Sequence, residues 1–151
     1  MAAAKIYNPD EVSIVLGPAL INSGYADGEF IRIEAESEDS TDVVGSDGEV
    51  AISRTNDRRA TITIILMQTA DVNTQLSVLS NLFRSAPGAL GGVVPFLLRD
   101  RNSGAGLYTA ENAWIAKPPD ISFDREATSR EWMIRCADLV RIDGGNTTLG
   151  G

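Results

Sequence analysis

A chain of 151 residues with 43% hydrophobic and 23% charged side chains has the size and make-up of one ordinary domain over 1–151, able to bury a core without disulfide or metal staples. Its net charge of −8 is wholly local: residues 27 to 49 hold nine acids against one base, Arg32, while the rest balances twelve against twelve, and an acidic surface disfavours nucleic-acid phosphate as a ligand. With no histidine and the single Cys136, a disulfide within the chain and Ser-His or Cys-His catalysis are excluded, and a zinc site is disfavoured.

MAAAKIYNPDEV lacks the cationic and apolar regions of a signal peptide, and no apolar run approaches the ~18 residues of a membrane span, so export by a signal peptide and membrane insertion are not expected. Flexible ends are expected at about 1–8 and 144–151. EVSIVLG, residues 11 to 17, is a short strand stopped by Gly17-Pro18, and ALINSGYADG is a turn-rich return. In FIRIEAE, Ile31, Ile33 and Ala35 alternate with Arg32, Glu34 and Glu36, which predicts a half-buried strand in an antiparallel sheet.

The stretch ESEDSTDVVGSDGE, residues 36 to 49, carries six acids and no base and reads as a long polar loop. EVAISR and RATITIILMQT resume strand character, with TNDRR between them as the tip of a hairpin, and the β-branched density of ATITIILM marks a central strand. At Asp71 the period changes: Val72, Leu76, Leu79 and Phe83 form one helical stripe, with Asp71 as N-cap, Arg84 in the last turn and Pro87-Gly88 ending a helix over about 71–85.

Strand character returns in VVPFLLRD, where Pro95 cannot donate to a ladder and so marks an edge or a bulge. RNSGAG is a hairpin turn into LYTAENAWIAK, which Pro118-Pro119 ends. In SREWMIRCADLVRID, read as one long strand, Trp132, Ile134, Cys136, Val140 and Ile142 share a face with Asp138 as the polar exception. The order of elements predicts a mainly β chain, an antiparallel β-sandwich or barrel with one flanking α-helix.

No chemical signature survives inspection. An EF-hand loop begun at Asp39 fails at Thr41 and Val43, and one begun at Asp42 fails at Val44, so the acidic stretch does not spell a calcium site. Lys5 and Lys117 lack any motif for Ser-Lys chemistry, GAGLYT has Thr109 where a dinucleotide fingerprint needs its third glycine, and Asn146-Thr147-Thr148 is a glycosylation triplet without secretion. Trp114 and Trp132 fit a core or an interface, and no catalytic, cofactor-binding or metal-ligating residue is assigned. The reading from another class is an acidic β-domain that binds a divalent cation or small ligand.

Three segments, ISRTNDRRATITIILMQTADVNTQLSVLSNLF, VVPFLLRDRNSGAGLYTAENAWIAKPPDISF and SREWMIRCADLV, resemble the tail-tube proteins of contractile-tailed bacteriophages, a family of phage structural proteins similar in form to the type VI secretion tube. The resemblance spans about residues 11 to 142, and its most specific part is LMQTADVNTQLSVL. It implies a non-enzymatic virion subunit, assembled in the bacterial host cytoplasm into stacked, hexameric rings that form the conduit for DNA ejection inside a contractile sheath. The implied partners are further copies of the chain and sheath, baseplate and tail-terminator proteins, with genomic DNA passing through unbound and no membrane.

Within such a tube the acidic stretch is expected to reach a neighbouring subunit, with Asp39, Asp42 and Asp47 meeting Arg58 and Arg59 or Arg99 and Arg101 across the contact, the arginine side chain being suited to bidentate carboxylate pairing. The polar face of FIRIEAE, Arg32, Glu34 and Glu36, is expected to line the lumen. Six copies at −8 each give a ring of about −48, a field that repels passing phosphate rather than retaining it.

Overall fold

A computed structural model describes residues 11–85, 92–101 and 106–143. The chain runs β1 (Val12–Leu16), β2 (Ala19–Ile21), β3 (Ile31–Ala35), β4 (Ser40–Val44), β5 (Val50–Arg54), β6 (Ala60–Met67), α1 (Val72–Ser85), β7 (Val94–Asp100), β8 (Leu107–Lys117), β9 (Ser129–Cys136) and β10 (Val140–Ile142). The fold is mainly β with one helix, and all named strand pairs are antiparallel.

Eight strands form one sheet in the order β2-β1-β7-β8-β9-β6-β3, with β10 also on β8. The sheet is folded in a sandwich-like manner around its buried face and is not a closed barrel, which corrects that half of the expectation: β2 and β3 remain unjoined outer strands. β6 is central as its β-branched run predicts, paired over its full length with β9 and on its other side with β3.

Alternation puts Ile62, Ile64 and Leu66 of β6, Ile14 and Leu16 of β1, Phe96 of β7 and Trp132, Ile134 and Cys136 of β9 into one core. The stripe of α1 joins it through Val72, Leu76 and Leu79, and Phe83 is half-buried. Tyr25 stacks on Phe30 at 4.5 Å and donates its hydroxyl to the carbonyls of Val12 and Ile21, tying the segment before β3 to β1 and β2. Trp132 satisfies its indole N–H by donating to Asn73 Oδ1 at 3.0 Å, which docks the first turn of α1 on β9.

Several local expectations change. ALI is strand β2, reached by a reversal in which Gly17 takes φ +56° and a Cβ would come within 2.9 Å of Val94 Cβ. Pro95 sits at a bulge between Val94 and Phe96 and not at an edge, since β7 lies between β1 and β8. TNDRR is not a hairpin tip: β5 pairs with β4, while Asp57 accepts hydrogen bonds from the Arg59 backbone and Ser37. Asp71 accepts the Thr74 N–H through its carbonyl, and no side-chain cap from it is present among the described contacts.

The last strand divides in two. Ala137 donates to the Asn112 carbonyl and Asp138 accepts the Asn112 N–H, breaking the ladder after Cys136. Beyond the break Val140 and Ile142 are exposed, no longer on the face of Trp132 and Ile134. Residues 102–105 of the RNSGAG turn, the expected helix stop at Pro87-Gly88 and both expected flexible ends lie outside the described residues, while Gly106 at the end of the turn accepts the Asp100 N–H through its carbonyl.

Isoleucines in the core and on the exposed strand β5 should respond differently to truncation. Ile64→Ala, at a site with no exposed surface, is expected to cost about 2–5 kcal/mol of unfolding free energy, whereas Ile52→Ala on the exposed β5 changes it by no more than about 0.5 kcal/mol. Urea unfolding of the protein, followed by tryptophan fluorescence, measures both.

Candidate assembly surface

The acidic stretch is not a structureless loop but most of a β-hairpin. β4 and β5 pair in register from Ser40 with Arg54 to Val44 with Val50, around the turn Gly45-Ser46-Asp47-Gly48. At that turn Gly45 donates to the Glu49 carbonyl, Asp47 Oδ1 accepts the Glu49 N–H at 3.1 Å, and Gly48 takes φ +87°. Every residue of both strands is exposed, and β4 and β5 form a two-stranded sheet of their own, an arm with no strand pairing to the main sheet.

Pairing fixes what each face of the arm carries. Residues opposite one another point the same way, so Asp42, Val44, Val50 and Ile52 share one face with Ser40 and Arg54, and Thr41, Val43, Ala51 and Ser53 share the other. Ile52 is 64% exposed and Val43 68%. A two-stranded ribbon is marginal at best in water, and one with valine and isoleucine on show is a surface awaiting cover.

The root of the arm, by contrast, is tied down. Asp39 accepts the Thr55 N–H at 2.8 Å through its carbonyl, Glu36 donates its N–H to the Arg59 carbonyl at 3.1 Å, and the Thr61 hydroxyl donates to the Glu36 carboxylate. Arg59 forks onto Asp57 with both contacts at 2.9 Å, and these hydrogen bonds, with that from Ser37, hold the Asp57 carboxyl well below the usual carboxylate range.

Of the residues predicted to meet across subunits, one chain brings Asp39, Arg58 and Arg59 around a shared cleft of about 480 Å³ that Arg54 also lines. Asp42 and Asp47 have no ion pair with any of these arginines; Arg59 already holds Asp57, while Arg58, Arg99 and Arg101 are exposed. Arg99 and Arg101 stand at the end of β7, where the Arg101 N–H donates to the Glu11 carbonyl.

Arg32 and Glu34 are exposed on the outer face of β3, with Glu36 just beyond the strand. Arg32 bridges Glu29 at 2.6 Å and Glu34 at 3.5 Å, and the Glu29 carboxyl is lowered by its hydrogen bond to that guanidinium. Across the sheet the row through Glu34 continues with Thr61, Arg135 and Trp114, so this face is mixed in charge rather than purely acidic.

Two features escape the sequence reading: the apolar side chains of the arm, and Ile121 and Phe123 on the segment between β8 and β9, which are 70% and 81% exposed. The signal for the first is GSDG between the β-branched VV and VAI. Among the described residues no group of three or more His, Cys, Asp or Glu is placed to hold a metal ion, and no helix is long and apolar enough to cross a membrane.

Comparison with known proteins gives a consistent picture. Residues 13–144 match the family model described as bacteriophage PhiTE tail tube protein. The chain is 29% identical over 145 residues to structural protein ORF10 of Pseudomonas phage KPP10, covering 93% of this chain and 83% of that protein. Its fold is similar to a chain of the sheath/tube terminator of the extracellular contractile injection system PVC, with TM-score 0.60, 12% identity and coverage of 94% and 100%. It is also similar to a chain of the sheath-tube complex of that system, with TM-score 0.56, 11% identity and coverage of 87% and 88%.

Tyr108 of β8 offers a pH readout of the folded state. Burial, helped by its 2.6 Å hydrogen bond to Asp143, pushes its phenol from the ordinary 10.0 up to about 12. Because the folded value lies above the unfolded one, the stabilisation is complete below the unfolded value and is lost as pH rises through about 12. Ultraviolet difference titration should show this late ionisation in the native protein, and Asp143→Asn should move it back toward the ordinary value.

Proposed function

The chain belongs to the bacteriophage PhiTE tail tube protein family and is a non-enzymatic structural subunit of the virion, and from that premise we propose that it assembles in the host cytoplasm as a single tail-tube domain into stacked hexameric rings forming the conduit for DNA. The likeness to chains of sheath-tube and terminator assemblies supports contacts with a sheath and a terminator, and a baseplate, implied by the resemblance alone, completes the proposed set of tail partners.

The observation that carries this reading is the arm, two strands exposed on every residue. Ordering such a ribbon is stabilised by burial against another copy, and its acids suit arginines on that copy. Arg58, Arg99 and Arg101 are exposed and available for Asp39, Asp42 and Asp47, and Arg59 reaches them by sharing or exchanging Asp57. Deleting residues 39–47 is expected to leave a soluble, folded subunit that makes no tube by negative-stain microscopy. Tubes of normal length from that deletion would sink the assignment.

The outer face of β3 is the lumen-facing candidate. Arg32 is already bridged to Glu29 and Glu34, so the carboxylates of Glu34 and Glu36 set the sign of the field there. Charge reversal of Glu34 and Glu36 to lysine should slow DNA release from virions, most strongly at low ionic strength. An unchanged ejection rate would remove these residues from the bore.

A further inference from the structure

We infer that the arm seats by its apolar face in a cleft on a second copy, formed by the start of α1, the 118–128 segment and β9, with Asp42 delivered to Arg130. The inference rests on the arm being an intersubunit element and adds where it lands.

The receiving cleft, about 360 Å³, has Pro118, Ile121, Phe123 and Trp132 among its walls. Its charged member is Arg130, which is only 8% exposed because it occupies a core-facing position of β9 in step with Trp132 and Ile134. The guanidinium donates to Thr128 Oγ1 at 2.8 Å and to the carbonyls of Ser129 at 3.2 Å and Ser122 at 3.4 Å, and lies 5.8 Å from the centre of the Phe123 ring. All these acceptors are neutral. Among the described residues Arg130 is the buried cation, and no carboxylate pairs with it. Buried charges are ordinarily matched by an opposite charge.

The arm supplies what the cleft lacks. Beyond Ser40 and Arg54 at its root, one face of the arm presents Val44, Val50 and Ile52 with Asp42 directly opposite Ile52, an apolar surface bearing a carboxylate, against an apolar cleft bearing a guanidinium. The wider stretch adds the field of six acids without a base.

Position makes the occupant another copy. The arm is rooted where β6 begins, through Glu36 and Arg59, whereas the cleft lies where β6 ends, since Gln68 follows Met67 and lines it. Eight residues of strand put these sites about 24 Å apart along β6, and an arm exposed on all sides does not fold back over its own subunit. A contact between opposite ends of identical molecules is head-to-tail, so it builds a closed ring or an open filament and never a closed pair.

The test uses the full chain carrying Ile52→Cys in one preparation and Phe123→Cys in another, both at exposed sites, mixed, assembled and oxidised. The native Cys136 is fully buried, and burial pushes its thiol up, so it stays out of the reaction. The expected result is a covalent dimer of which mass spectrometry recovers a 52–123 linked peptide. In parallel, Phe123→Asp should lower the sedimenting assembly about tenfold with an unchanged melting temperature. Tubes that form without the 52–123 link and are indifferent to Phe123→Asp, while deletion of 39–47 still abolishes them, would overturn the cleft and leave the arm's intersubunit role standing. Normal assembly after that deletion would overturn both.

Discussion

The ladder between β6 and β9 is the constraint on which the rest of the molecule hangs. Its eight paired positions, from Ala60 with Cys136 to Met67 with Ser129, fix which alternate residues of both strands enter the core. A slip of one residue would turn the core side chains of one of the two strands, Ile62 and Ile64 or Trp132 and Ile134, to solvent, so the register is held by burial on one face. β3 adds to the free side of β6, and thereby places both the Arg32-Glu34 face and the root of the arm. The far end of the ladder places Arg130 and Trp132 under α1 and the 118–128 segment. One ladder thus sets the two ends of the subunit at a fixed separation.

What could be read in the sequence was what local chemistry dictates. The β-branched run of β6, the stripe of α1 and the bulge at Pro95 follow from side-chain period and a missing N–H, and none needs a distant partner to be seen. What could not be read was pairing. β5 and β6 look like a hairpin across TNDRR, but β6 takes partners from residues 31–35 and 129–136, and β5 returns to β4. The break between β9 and β10 depends on Asn112, a residue of β8 with no local mark upon the segment it interrupts. Arg130 was legible in principle, since it shares parity with Trp132, Ile134 and Cys136, and an arginine in step with core residues signals a buried cation. In the arm, the density of acids masked a turn between β-branched residues.

The arm and the segment that carries Phe123 have the same character at opposite ends. Each shows large apolar side chains to solvent while being fastened at its base, the arm by Asp39, Glu36 and Thr61, the segment by Thr128, which donates both its N–H and its hydroxyl to Gln68 Oε1. Fastening the base removes part of the ordering entropy that association would otherwise cost, so burial of the exposed residues contributes more of its free energy to binding. This separates a surface prepared for a partner from a loop that is merely loose.

The excess negative charge then has a physical role that does not require a metal or an enzyme. A ribbon with both backbone edges open and valines exposed is a template for pairing with its own kind, which would join arms to arms and leave growing ends misdirected. The acids along residues 36–49 make that pairing a juxtaposition of like charges, since every arm carries the same six. The same charges cost little where the receiving surface carries arginine. Charge therefore chooses among surfaces that apolar burial alone would leave equivalent, and it does so most strongly at encounter, before the ribbon is ordered.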